Sequence, residues 1–160
     1  MESQLRSIRE LVKEQVGCVG RGEHIKSIIV ISASSDIGFA LCSDWRAKGL
    51  EVCGTFRTPS SQTDFLGMQG VRLVDCDLSD NESVMSACEA LRRHCGQWDA
   101  LILCPGTPNP VGSFVDCEFD EWESSILVNF TNQLRIVREL LPVRNKKSES
   151  GPAVLFFAGG

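Results

Sequence analysis

Five short, nearly unbroken apolar runs, separated by stretches of helical period, constrain what this chain can fold into more than any other feature. The first, at residues 25–31, reads Ile-Lys-Ser-Ile-Ile-Val-Ile. A β-branched run with so little polar alternation fits a strand covered on both faces, as in a parallel sheet. Further strands are predicted at residues 51–56, 71–74, 99–103 and 153–157. Between the first two, residues 36–48 carry Ile37, Ala40, Leu41 and Trp45 on one helical face and stop at Gly49. A second helix is predicted over residues 81–95 with Ser79 as its N-cap, and a long one over residues 119–146, interrupted at Pro142. Strands alternating with helices imply right-handed βαβ crossovers, hence an α/β fold with a doubly wound parallel sheet. Ligands on such sheets bind beyond the carboxyl ends of the strands, where the strand order reverses.

A length of 160 residues suits one domain. Ahead of the first strand, Leu5, Ile8, Leu11, Val12 and Val16 recur at helical spacing, so residues 1–24 read as a helical extension and residues 25–160 as the main domain. The net charge is -5 and the short basic cluster at residues 144–147 falls at a helix end, where cations suit the dipole; no nucleic-acid partner is expected. No apolar stretch is long enough for a signal peptide or a membrane span, so no membrane partner is expected either. The eight cysteines show no CxxC pair, and with only two histidines no metal site is expected. Scattered in apolar patterns, they read as small buried hydrophobes with free thiols, which points to a reducing, cytoplasmic setting.

The turn after the first strand carries the chemistry. In Ile31-Ser32-Ala33-Ser34-Ser35-Asp36-Ile37-Gly38, small residues between a strand and a helix let a phosphate approach backbone N–H groups and the helix N-terminus. By itself the turn fits an ordinary strand-to-helix cap equally well. Four later segments fall in matching order: Gly54-Thr55-Phe56-Arg57, Asp75-Cys76-Asp77-Leu78-Ser79-Asp80, Leu103-Cys104-Pro105-Gly106, and Val128-Asn129 ahead of Leu140-Leu141-Pro142.

Together these segments resemble the short-chain dehydrogenases/reductases, whose turn motif is TGxxxGxG, and the likeness runs from Ile25 to Gly160. The resemblance implies a Rossmann-type fold ending after the fifth strand, with an NADP-binding site; NAD is the alternative. It makes Ser32, Ser34, Ser35, Asp36, Ile37, Gly38, Arg57, Asp77, Leu78, Cys104 and Gly106 the expected cofactor-binding residues. Ser32 and Asp36 stand where the family has glycine; Ser32 loses tolerance of positive φ, and Asp36 brings negative charge near a phosphate unless it caps the helix. Arg57 follows Phe56, which occupies the place of the ribose-binding acid of NAD-preferring relatives, so the resemblance implies pairing with a 2′-phosphate; a solvated loop arginine is the other reading. Asp77 is implied to contact the adenine amino group. Of the family's NNAG motif only Gly106 remains, and Cys104 offers no substitute for the asparagine side chain that ties the strands. Asn129 matches the catalytic asparagine, whose backbone carbonyl in the family holds a water of the proton relay, which requires a local kink in the helix.

The family uses a tyrosine, a lysine and a serine for proton transfer and substrate polarisation. This chain contains no tyrosine, and no serine stands at the end of the fifth strand. The leading expectation is therefore an inactive portion of an NADP-dependent oxidoreductase acting on a small-molecule carbonyl or secondary alcohol. The alternatives are a noncatalytic nucleotide-binding or sensing module, and a subunit-interaction fragment that self-associates through the long helix from Phe119. Ile126, Leu127, Leu134, Val137 and Leu141 are expected to leave apolar surface on that helix.

Overall fold

A computed structural model describes residues 25–147 and 152–157. The expected extension at residues 1–24 lies outside the described residues, as do the last three residues of the chain. The elements run β1 (Ser27–Ile31), α1 (Asp36–Ala47), β2 (Glu51–Phe56), α2 (Ser61–Met68), β3 (Arg72–Asp75), α3 (Asn81–Cys95), β4 (Ala100–Leu103), α4 (Phe119–Ile126), a π-turn (Leu127–Thr131), α5 (Asn132–Leu140), a 3-10 turn (Leu141–Val143) and β5 (Ala153–Phe156). The sheet is parallel throughout, in the order β3-β2-β1-β4-β5. The chain runs outward from β1 to β3, then returns to the other side of β1 with β4. The reversal between β1 and β4 opens a crevice beyond their carboxyl ends.

Every residue of β1 is buried, as its unbroken apolar run requires. Ile29, Ile31, Leu101 and Leu103 pack on one face against Val84, Leu91, Ile136 and Leu140 of α3 and α5. Ile28, Val30, Ala100 and Ile102 pack on the other against Leu41, Trp45 and Leu66 of α1 and α2. Burial on both faces supplies most of the stabilisation, on the order of 2 kcal/mol per large side chain fully covered. Among the described residues no helix is long and apolar enough to cross a membrane.

The structure departs from the sequence expectations in five places. Helix α2 was not predicted: it has eight residues and buries only Thr63 and Leu66, leaving too few apolar positions to show a period, although Ser60 and Thr63 form a reciprocal capping box. Asp80, not Ser79, caps α3, accepting from the Glu82 N–H at 2.9 Å; the Ser79 hydroxyl donates to Asp77 instead. Ser35 caps α1, and Asp36 is the first residue inside the helix. The predicted long helix breaks ahead of Pro142, because Leu127–Thr131 widens into a π-turn. That turn contains Asn129, where the resemblance implied a local kink. Finally, Cys53 of β2 and Cys95 at the end of α3 are joined in a disulfide, with Cα atoms 6.4 Å apart. Periodicity placed both on buried faces without showing that the faces meet, so the expectation of free thiols fails at this pair. Cys42, Cys76, Cys88 and Cys104 are free and buried as expected.

Candidate cofactor site

The crevice is a cleft of about 650 Å3, within the range of small-molecule sites. Its lining comes from four loops: Ser32, Ser34 and Ser35 after β1, Arg57 after β2, Cys76 to Ser79 after β3, and Cys104 to Thr107 with Asn109 after β4. Asp120, Glu121, Ser124, Ser125 and Val128 of α4 and the π-turn close the remaining side.

The turn after β1 is held from two directions. Ser35 Oγ donates to the Ser32 carbonyl at 2.8 Å and accepts from the Gly38 N–H at 3.1 Å, closing the turn onto the first turn of α1. From β2, Thr55 accepts the Ser32 N–H on Oγ1 at 2.9 Å and the Ala33 N–H on its carbonyl at 2.7 Å. Two glycines make this approach feasible. A Cβ on Gly38 would lie 2.3 Å from the Ser32 carbonyl oxygen, and one on Gly54 would lie 2.6 Å from Ala33 Cβ. Ser32 itself has φ 62, a conformation glycine adopts at less cost, so the sequence departure there is accommodated as strain of about 1 kcal/mol.

The structure sorts the expected residues into two groups. Ser32, Ser34, Ser35, Arg57, Asp77, Leu78, Cys104 and Gly106 line the cleft. Asp36, Ile37 and Gly38 are not part of its lining; Gly38 serves by letting the turn close, and Asp36 is exposed on the first turn of α1. Asn129 does not line it either, but its side chain clasps a residue that does: Oδ1 accepts the Thr107 N–H at 2.9 Å, and Nδ2 donates to the Thr107 carbonyl at 2.9 Å. Gly54 and Thr55 were missed as individual site residues. A glycine inside a strand signals close approach of another backbone, and that signal was present.

Electrostatically the cleft joins a cation to an acid. The Ser79 N–H and hydroxyl both donate to Asp77 Oδ1, at 2.9 and 2.7 Å, and hold the Asp77 carboxyl below its usual range, aided by the Arg57 charge. Asp77 is therefore ionised near neutrality. The two thiols in the lining behave oppositely: burial pushes Cys76 and Cys104 up to about 12, so neither is a nucleophile. Burial likewise raises Cys88 to about 11 and Cys42 further still.

These thiols give a pH prediction. In the unfolded chain they titrate near 8.5, below their folded values, so their protonated form is favoured by folding. Their contribution is complete below about pH 8.5 and shrinks as pH rises toward 11 to 12, by roughly 1.4 kcal/mol per pH unit for each thiol. The chain has no tyrosine to add its own alkaline titration. Urea midpoints measured in reductant-free buffer should fall steeply between pH 8.5 and 10, and a flat profile there would refute the assignment.

Comparison with known proteins agrees with this architecture. The family model described as short chain dehydrogenase matches residues 26–155. The 3-oxoacyl-[acyl-carrier-protein] reductase FabG of Salmonella typhimurium is 27% identical over 125 residues, spanning 76% of this chain and 50% of that protein. The short-chain dehydrogenase/reductase olcF of Penicillium canescens is 31% identical over 118 residues, 72% of this chain and 45% of that protein. The chain thus spans about half the length of these curated relatives. Among solved structures, a short-chain dehydrogenase/reductase from Serratia marcescens superposes with a TM-score of 0.72 at 18% identity, covering 82% of this chain and 54% of that one. An actinorhodin polyketide ketoreductase with NADPH superposes with a TM-score of 0.65 at 20% identity, covering 74% and 47%. With the family model spanning most of the described sheet and its crossover helices, this chain belongs to the short-chain dehydrogenase family.

Proposed function

We propose that the cleft binds NADP(H), and that the chain forms the nucleotide-binding part of an oxidoreductase acting on a carbonyl or a secondary alcohol. The observation that carries this reading is the placement of Arg57 and Asp77, neighbours across the ends of β2 and β3, in the lining of a cleft at the switch point. The lining suits the dinucleotide: a guanidinium for a 2′-phosphate, an ionised carboxylate for an adenine amino group, and three serines beside a helix N-terminus for a pyrophosphate. NADP(H) would supply or accept the hydride. The residues present would bind and orient it: Arg57 and Asp77 with Leu78 at the adenosine end, Ser32, Ser34 and Ser35 at the phosphates, and the backbone at Cys104 and Gly106 along the cleft wall. A relative named as a 3-oxoacyl-[acyl-carrier-protein] reductase and a structural neighbour described with NADPH support the reading.

A second reading, nucleotide binding without turnover, is favoured by one observation: the chain has no tyrosine and so offers no phenol as general acid. The partner we propose for α4 and α5 is a second copy of the chain. Ile126, Leu134 and Leu141 of the expected strip are exposed, along with Phe130, while Leu127 and Val137 are half-buried and Val137 packs toward the core.

Fluorescence titration with NADPH and NADH tests the cofactor assignment. The chain should prefer NADPH, and Arg57→Ala should weaken that complex by about 1.5 kcal/mol, on the order of tenfold, with NADH little changed. Equal losses for both nucleotides would make Arg57 a structural residue, and absence of binding by either would remove the dinucleotide reading.

A further inference from the structure

Asn132 and Gln133 open α5 and are 0% and 4% exposed, among the few buried polar side chains of the described residues. Neither spends its amide on its own helix alone. Asn132 Nδ2 donates to the Leu78 carbonyl at 2.8 Å, across 54 residues of sequence, while its Oδ1 accepts from Arg135 Nε at 2.9 Å. Gln133 Nε2 donates to the Pro105 carbonyl and to the Val128 carbonyl, each at 3.3 Å. Leu78 and Pro105 belong to the loops after β3 and β4, and both line the cleft. Past the ends of these strands no ladder hydrogen bonds remain, so their carbonyls need other donors. Cys104, with only a weak thiol donor, is poorly suited to provide one from the strand end. Adjacent residues on one helical turn therefore reach both walls of the cleft, beside the π-turn from which Asn129 clasps Thr107.

We propose that Asn132 and Gln133 are positioning residues that fix the two cleft walls relative to one another, so that the nucleotide meets a preformed site. This rests on the reading of the cleft as a dinucleotide site. If the amides served only to satisfy buried carbonyls, losing them would loosen the helix and the sheet together. If they position the walls, each loss acts on its own loop: Asn132 on the loop after β3, Gln133 on the loop after β4.

The test compares Asn132→Leu and Gln133→Met, near in size but without the amide donors, with the unaltered chain. Hydrogen exchange read by mass spectrometry on the nucleotide-free protein and NADPH titration are the two readouts. Gln133→Met should speed exchange at the amides of Cys104, Gly106 and Thr107, and Asn132→Leu over residues 76–80, each on the order of tenfold, with β1 and β2 unchanged. Each should also weaken NADPH binding about fivefold or more. Gln133→Asn, which keeps the donor but shortens its reach, should reproduce the loop effect should the methionine variant fail to fold. Unchanged loops, or faster exchange throughout the sheet in these variants, overturn the proposal. Loosened loops with unaltered NADPH affinity overturn it while leaving the cofactor reading intact. Failure of the unaltered chain to bind NADPH overturns the cofactor reading, and the proposal with it.

Discussion

Replacing Gly38 by alanine is expected to destabilise the fold by about 3 kcal/mol, at the upper end of what overpacking by one methyl costs. The added Cβ would lie 2.3 Å from the Ser32 carbonyl oxygen and 2.9 Å from Ala33 Cα, both backbone atoms that no side-chain rotation can move aside. Relief requires the turn to lift away from α1. That would strain the hydrogen bond from the Gly38 N–H to Ser35 Oγ and the two that Thr55 accepts from Ser32 and Ala33. The damage should be local as well as global, because Ser32, Ser34 and Ser35 line the cleft. A urea titration should show the lower midpoint, and nucleotide binding should weaken even where the variant is fully folded. Alanine at Gly67, where a Cβ meets nothing within 4 Å, is the control and should be neutral or stabilising. Equal midpoints for Gly38→Ala and the unaltered chain would show that the turn relaxes to admit a methyl group at no cost.

The second large effect is expected at Asp99, just ahead of β4. Its carboxylate accepts the Lys26 and Ser27 N–H groups on Oδ2, at 2.8 and 3.0 Å, and Asn145 Nδ2 on Oδ1 at 2.7 Å. It thus joins the entry to β1 to the segment that follows the 3-10 turn, with only 9% of its surface exposed. Asp99→Ala leaves these donors without their acceptor at a largely buried place, and each such loss costs about 1 to 3 kcal/mol. A total of about 3 to 5 kcal/mol is expected, allowing for partial solvation of the freed groups. Asp99→Asn keeps an acceptor oxygen and should recover part of the loss. Thermal unfolding of the two variants checks this: an alanine variant within 1 kcal/mol of the unaltered chain would mean that water replaces the carboxylate freely.

Much of this was local and so legible in advance. The run of Ile28 to Ile31 shows a doubly covered strand because burial on both faces removes the polar alternation. The predicted bounds of α3 match the observed Asn81–Cys95, since its buried Val84, Ala87, Cys88, Leu91 and Cys95 follow helical spacing closely. The order of the motifs then pointed to the family: four of them lie at strand ends, which the parallel topology brings to one side, and the fifth lies in the π-turn and the helix after it.

What periodicity could not report is which atoms meet once the layers pack. It did not show that Ser35 caps α1 or that Asp36, which the resemblance named as a binding residue, stands outside the cleft lining. It gave Asn132 and Gln133 no role, because their partners Leu78 and Pro105 lie 54 and 28 residues away. It showed Cys53 and Cys95 as separate buried thiols, though β2 and the end of α3 bring them together. The sequence by itself determined the strands and their parallel arrangement, since these follow from local burial patterns and connection chirality, and it pointed to the family through the likeness of its ordered motifs. Only the tertiary structure decided the cleft walls and their supports, because a hydrogen bond depends on distances of a few tenths of an ångström between segments that local patterns describe one at a time.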